Sequence, residues 1–145
     1  MLNTDAMEED GFLVKAEKER SLFETFPRIY EGRFRRYVPI SYGICCGDGW
    51  YKIVWDLSEK LEKISANMEI CPTVSEIKER NGELYFTMFP KKLVTDEMNE
   101  SIERAMDLSV ATCEVCGESG KYGYLRGIYQ TLCSEHRLKF LSKMY

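Results

Sequence analysis

Apolar and polar positions alternate with different periods along the chain, and each period predicts an element. Trp50, Ile53, Val54, Leu57, Leu61 and Ile64 recur every three or four residues, the stripe of a helix with one face in a core. On its outer face Asp56 with Lys60 and Glu59 with Lys63 stand four residues apart as expected ion pairs. Gly47-Asp48-Gly49 precedes it and offers Asp48 as the capping carboxylate. Further on, Leu84, Phe86 and Met88 alternate with Glu83, Tyr85 and Thr87, the two-residue period of a strand. Asn81-Gly82 supplies the two positive-φ positions of a tight turn, so residues 74–80 and 83–89 are predicted to pair as a hairpin with Ile77 opposite Phe86. Its apolar face should lie against the Trp50 helix. Two strands alone are marginal, and residues 38–41 are the candidate for a third.

Shorter patterns complete the outline. Phe12, Leu13, Ala16, Leu22, Phe23 and Phe26 predict a short helix or two ending at Pro27, followed by an irregular stretch through Pro39 and Gly43. Thr95 caps a second long helix whose first turn carries Asp96 and Glu97 and whose inner stripe is Met98, Ile102, Ala105, Met106 and Ser109. A last helix is expected over residues 134–144, with Leu138, Phe140 and Leu141 for packing. The acidic start, with Glu8, Glu9 and Asp10, predicts a flexible terminus over residues 1–10.

Composition narrows the setting. With 145 residues and 44% apolar side chains, the chain can bury a real core in one domain plus a small appendage. No run approaches the roughly 18 apolar residues a membrane helix needs, so no membrane association is expected. The formal charge of -4 repels a phosphate backbone, and any nucleic-acid binding would need a local patch.

The strongest chemical signal lies near the C-terminus. Cys113, Cys116, Cys133 and His136 stand as CxxC, sixteen residues, CxxH, the spacing of a tetrahedral structural Zn2+ site, and His136 is the chain's only histidine. The segment between the pairs carries Gly117, Gly120, Gly123 and Gly127 and can fold back as a hairpin. Six cysteines would also permit a disulfide framework, but that needs an oxidising compartment, and the acidic N-terminus lacks the form of a secretion signal. A zinc deaminase would place an HxE before a PCxxC; here the order is reversed and no HxE exists. Four good donors close the metal's shell, which predicts a structural metal and not a catalytic one. The expected fold is therefore α+β: a small antiparallel sheet packed by helices over residues 11–111, and a zinc-ribbon or knuckle module with a terminal helix over residues 112–145.

Two other features invite a function. Residues 28–37 hold Arg28, Arg33, Arg35 and Arg36 with Tyr30, Phe34 and Tyr37 against one glutamate. Arginine forks onto carboxylate or phosphate and aromatics stack on bases, so Arg28, Arg33, Arg35, Arg36 and Tyr37 are the candidate partner-binding residues. A solvated face paired with the acidic remainder is the bland alternative. Cys45 and Cys46 lie near a helix start, where a thiol can be activated as a nucleophile, but the only histidine is committed to the metal and no base remains.

Gly47-Asp48-Gly49-Trp50 ahead of an amphipathic helix, then a hairpin, a helix, and Thr112-Cys-Glu-Val-Cys-Gly117 with Thr131-Leu-Cys-Ser-Glu-His136, resembles small uncharacterised proteins of tailed bacteriophages and prophages. The resemblance covers residues 38–137, with Ile128-Tyr129 where a tryptophan is expected before the second ligand pair. It implies expression in the cytoplasm of a bacterial host and carries over no catalytic residues. The expected function is that of a non-catalytic, zinc-stabilised protein that binds a host or phage protein and inhibits or redirects it. Nucleotide or nucleic-acid binding through residues 28–37 is the alternative, and a small enzyme with a Cys45 or Cys46 nucleophile ranks below both.

Overall fold

The computed structural model describes residues 13–143 and is α+β, with four helices and two small antiparallel hairpins. In chain order they are α1 (Ala16–Thr25), α2 (Tyr51–Ser65), β1 (Thr73–Arg80), β2 (Glu83–Phe89), α3 (Asp96–Ser109), β3 (Lys121–Leu125), β4 (Ile128–Leu132) and α4 (Ser134–Ser142). The expectations for residues 1–10, Phe12 and Met144 lie outside the described residues.

The long amphipathic stripe forms as the sequence predicts. Trp50, Val54, Leu57 and Leu61 are buried, with Ile53 and Ile64 packed at the margin of the same core. Thr95 caps α3, its Oγ1 accepting the Met98 amide at 3.1 Å, and Met98, Ile102, Ala105 and Ser109 turn inward. The first hairpin closes on Asn81 and Gly82, both at positive φ, and pairs Ile77 with Phe86. A bulge between Val74 and Glu76 interrupts its ladder near the open end.

Three expectations are corrected and one is extended: besides sharing one core with Trp50, Val54, Leu57 and Leu61, the hairpin's apolar face meets α3, which packs on both β2 and α2. Ser109 explains part of this placement, since its Oγ accepts the buried Leu84 amide at 3.0 Å. Residues 38–41 are not a strand: Pro39–Tyr42 is a 3-10 turn, begun by a proline that has no N–H to give a ladder. The sheet is extended instead by one residue, Cys45, whose amide donates to the Ile77 carbonyl at 3.0 Å and whose carbonyl accepts from Glu79 at 3.1 Å. Asp48 does not cap α2. It is the first residue of a 3-10 turn, Asp48–Trp50, and its carboxylate meets Lys18 at 2.8 Å. On the outer face of α2, Asp56 pairs with Lys52 at 2.9 Å and not with Lys60.

The irregular stretch after α1 is anchored, and this decides where Arg28 points. The Glu62 carboxylate accepts the amides of Arg28 and Ile29 at 3.1 and 3.0 Å. The Arg28 guanidinium donates to the carbonyls of Ser65 and Met68, satisfying acceptors left free where α2 ends. Tyr30 is buried just beyond, its hydroxyl 2.7 Å from Ser58 Oγ. Arg28, half-buried, thus fastens a loop to a helix end through its guanidinium.

Candidate metal centre

The second hairpin and α4 bring the four sulfur and nitrogen donors together. Cys113 and Cys116 lie on a knuckle whose turn is closed by the Gly117 amide on the Cys113 carbonyl at 2.9 Å, with Gly117 at a φ of +84. A side chain at that φ would be strained, which accounts for a glycine after the second cysteine. Cys133 is the N-cap of α4, its Sγ accepting the His136 amide at 3.4 Å, so the same residue starts the helix and presents a donor. His136 follows in the first turn, with its Nδ1 3.2 Å from Cys133 Sγ and 3.7 Å from Cys113 Sγ. Cys116 and Cys133 Sγ are 3.8 Å apart, far beyond a disulfide bond, and all four donor atoms lie within 4.8 Å of one another.

Those distances match a metal shell. A tetrahedron with metal–sulfur bonds of about 2.3 Å has edges of about 3.8 Å, slightly less where a nitrogen replaces a sulfur. The cluster can therefore hold a metal ion with no donor position left over. Thiolate character is already favoured at Cys133, whose thiol is lowered to about 7 chiefly by the His136 backbone amide it accepts.

The knuckle is built into the main core through residues whose part was not legible beforehand. Glu114, between the two cysteines, is buried and its carboxylate accepts the Gly47 amide at 2.8 Å, while its carbonyl accepts the Gly49 amide at 2.7 Å. Trp50 Nε1 donates to the Thr112 carbonyl at 2.9 Å. A Cβ on Gly49 would stand 2.2 Å from the Cys113 carbonyl oxygen, so only glycine admits the knuckle this close. Gly47-Asp48-Gly49-Trp50 is thus the seat of the metal knuckle as well as the entry to α2. Two closely spaced glycines were the available signal, since they mark close backbone approach as well as turns.

Electrostatics at this seat is unusual. Burial raises the Glu114 carboxyl to about 7, with the Glu79 carboxylate nearby adding to the effect and the Gly47 amide opposing it. Glu114, Glu79 and His136, with Ile128, Phe140 and Lys139, are among the residues that line a cavity of about 460 Å³. The tip of the first hairpin rests on the second: Thr131 Oγ1 donates to the Gly82 carbonyl at 2.7 Å, and the Tyr122 hydroxyl to the Asn81 carbonyl at 3.1 Å. In α4, Phe140 and Leu141 pack on the small cluster of Cys113, Leu125 and Leu132, whereas Leu138 is exposed, contrary to its expected packing role.

The remaining sequence candidates separate. Arg33 donates to the Tyr30 carbonyl at 2.9 Å and lies over the Phe34 ring, 4.2 Å from its centroid. Arg35 pairs with Glu31 at 3.1 Å in an exposed ion pair. Arg36 is exposed, and Phe34, Tyr37 and Tyr42 are exposed at 72%, 86% and 80%. Cys46 is fully buried and its thiol is pushed well up by desolvation, the opposite of an activated nucleophile; Cys45 is exposed. No described helix is long and apolar enough to cross a membrane. Comparison with protein-family models, with curated proteins and with solved structures finds no match to this chain.

Proposed function

We propose that this is a non-catalytic binding protein whose C-terminal module is held by one structural zinc ion and whose partner is a macromolecule, most simply a protein. The observation that carries the reading is the convergence of Cys113, Cys116, Cys133 and His136 to within 4.8 Å of one another, a four-donor set that could hold a metal ion. Three thiolates and one imidazole select zinc among the common divalent ions, and a filled shell leaves no position for a substrate or an activated water. The ion would supply folding free energy and no chemistry.

Binding is supported by the surface that residues 34–42 present. Phe34, Tyr37 and Tyr42 are exposed together with Arg35 and Arg36, and arginine and aromatic side chains are the types that dominate protein interfaces. From the sequence pattern of residues 38–137 alone we further propose a partner in a bacterial host cytoplasm, bound so as to inhibit or redirect it. Two measurements test the reading. Elemental analysis of freshly purified protein should give one zinc per chain, and well under one equivalent contradicts the metal. Immobilised protein should capture a partner from bacterial lysate that Arg36→Glu combined with Tyr37→Ala no longer holds. Capture at parental strength by that variant contradicts the surface.

A further inference from the structure

The four donors are not equally reachable. Cys113 is fully buried, packed with Leu125 and Leu132 in the module's small apolar cluster. Cys116 is exposed and Cys133 half-buried, so these two form the outer edge of the set. Cys116 and Gly117 also line a cavity of about 650 Å³ that Lys52 and Asp56 of α2 and Arg104 and Leu108 of α3 help to wall. Small solutes therefore reach Cys116 without any opening of the core. The Sγ atoms of Cys116 and Cys133 are 3.8 Å apart, the edge of a shared metal shell, and must close to about 2.05 Å to bond. Both residues lie outside the regular elements, Cys116 in the knuckle turn and Cys133 just ahead of α4, so their approach has no strand or helix to break.

We propose that Cys116 and Cys133 are an oxidation site, which hydrogen peroxide converts to a disulfide and which thereby frees the metal. This inference rests on the structural zinc proposed above and adds its control. The Cys116 thiolate attacks one peroxide oxygen: a sulfur–oxygen bond forms, the oxygen–oxygen bond breaks, and hydroxide leaves. The Cys133 thiolate then attacks the sulfur of the Cys116 sulfenic acid, forming the sulfur–sulfur bond and releasing a second hydroxide. The two sulfurs together lose two electrons and the peroxide gains them. Cys113 and His136 remain as donors, too few to close a tetrahedral shell. Cys113 is spared because burial keeps a thiol inert. Cys45, Cys46 and Cys71 lie outside the donor set, so their oxidation does not touch the metal. The consequence runs to the seat. One bridge between the knuckle and the start of α4 replaces a shared centre, and the contacts of Glu114 and Thr112 with Gly47, Gly49 and Trp50 lose their support.

The test treats the zinc-loaded full chain with hydrogen peroxide in the presence of a chromophoric zinc chelator, followed by peptide mapping without reduction. Release of one zinc per chain in step with a peptide linked through Cys116 and Cys133 is expected, and dithiothreitol with added zinc should restore the starting state. Cys116→His keeps four donors but removes the bridge; it should bind zinc and release it to peroxide about tenfold more slowly. Cys45→Ser with Cys71→Ser should release zinc at the parental rate. Metal retained while Cys45 is oxidised overturns the proposal. So does a disulfide mapped to Cys113 and Cys116, or oxidation that runs to sulfinic acid on Cys116 with no bridge. If Cys116→His fails to hold zinc, the peptide map of the parent still decides. Well under one zinc at the outset would overturn the metal reading together with this one, whereas a loaded chain that keeps its zinc in peroxide overturns this inference alone.

Discussion

The main body and the metal module are held by different forces. Twenty-one buried residues, from Val14 to Ala105, form one cluster that includes Trp50, Tyr30, Leu22 and Leu61 with almost no exposure. The module's apolar cluster has three buried members, Cys113, Leu125 and Leu132, with a few half-buried neighbours. At roughly 25 cal/mol per Å² of apolar surface, the first cluster can outweigh the entropy of ordering its chain and the second cannot. The module needs a cross-link, and four donors within 4.8 Å supply the place for one. What the difference teaches is that the seat between them matters most. Gly47, Gly49 and Trp50 belong to the well-packed body yet bond Glu114 and Thr112 of the module.

Breaking the metal shell should have the largest effect. Structural zinc sites in small domains contribute about 10–16 kcal/mol of apparent binding free energy, so Cys116→Ser should leave residues 112–143 largely unfolded and the body folded. Limited proteolysis checks this: cuts should appear within residues 121–126 of the variant while α2 and α3 survive. Removing Trp50 attacks both regions. Trp50→Ala should cost about 3–5 kcal/mol, the usual penalty for a large buried aromatic, measured by denaturant unfolding. Trp50→Phe keeps more of the ring volume but leaves the Thr112 carbonyl without its donor, and should separate the bonding part from the packing part.

A smaller effect sharpens the comparison at the seat alone. Gly49→Ala places a methyl against the Cys113 carbonyl and should cost about 1–3 kcal/mol, with the module displaced and the body's core unaltered. Nuclear magnetic resonance shifts confined to residues 47–50 and 112–120 would bear that out; shifts throughout α3 would not. Glu114 separates charge from hydrogen bonding. Glu114→Gln keeps an oxygen for the Gly47 amide and removes a carboxylate that burial and Glu79 disfavour, so its stability should match or slightly exceed the parent's. Glu114→Ala leaves the amide unpaired and should lose about 1–3 kcal/mol. The smallest change in stability is expected for Arg36→Glu, an exposed site far from these features, within about 0.5 kcal/mol of the parent.

Much of this was legible wherever a local rule decided the outcome. The α2 and α3 stripes follow from helical periodicity, the Asn81-Gly82 hairpin from turn chemistry, and the four donors from ligand spacing, because each depends on residues close in sequence. The failures share the opposite property. Asp48 resembles a cap by position, but a turn begins one residue early and Lys18, thirty residues away, takes its carboxylate. Arg28 belongs to a basic run by sequence, yet the end of α2 lies beside it in space and takes its guanidinium. Glu114 reads as a spacer within CxxC, and only the approach of Gly47 and Gly49 makes it a buried acceptor.

The central claim, that a metal-held module sits on an independently folded body through the Gly47–Trp50 seat, is tested most directly by segment-resolved hydrogen exchange before and after removal of metal with a chelator. The account predicts that amides of β3, β4 and the first turn of α4 lose their protection, that amides at residues 47–50 lose part of theirs, and that α2, β1, β2 and α3 keep most of it. Uniform loss across the chain would show one cooperative unit dependent on metal, and unchanged protection of β3 and β4 would show a module that stands without it; either result would contradict the account.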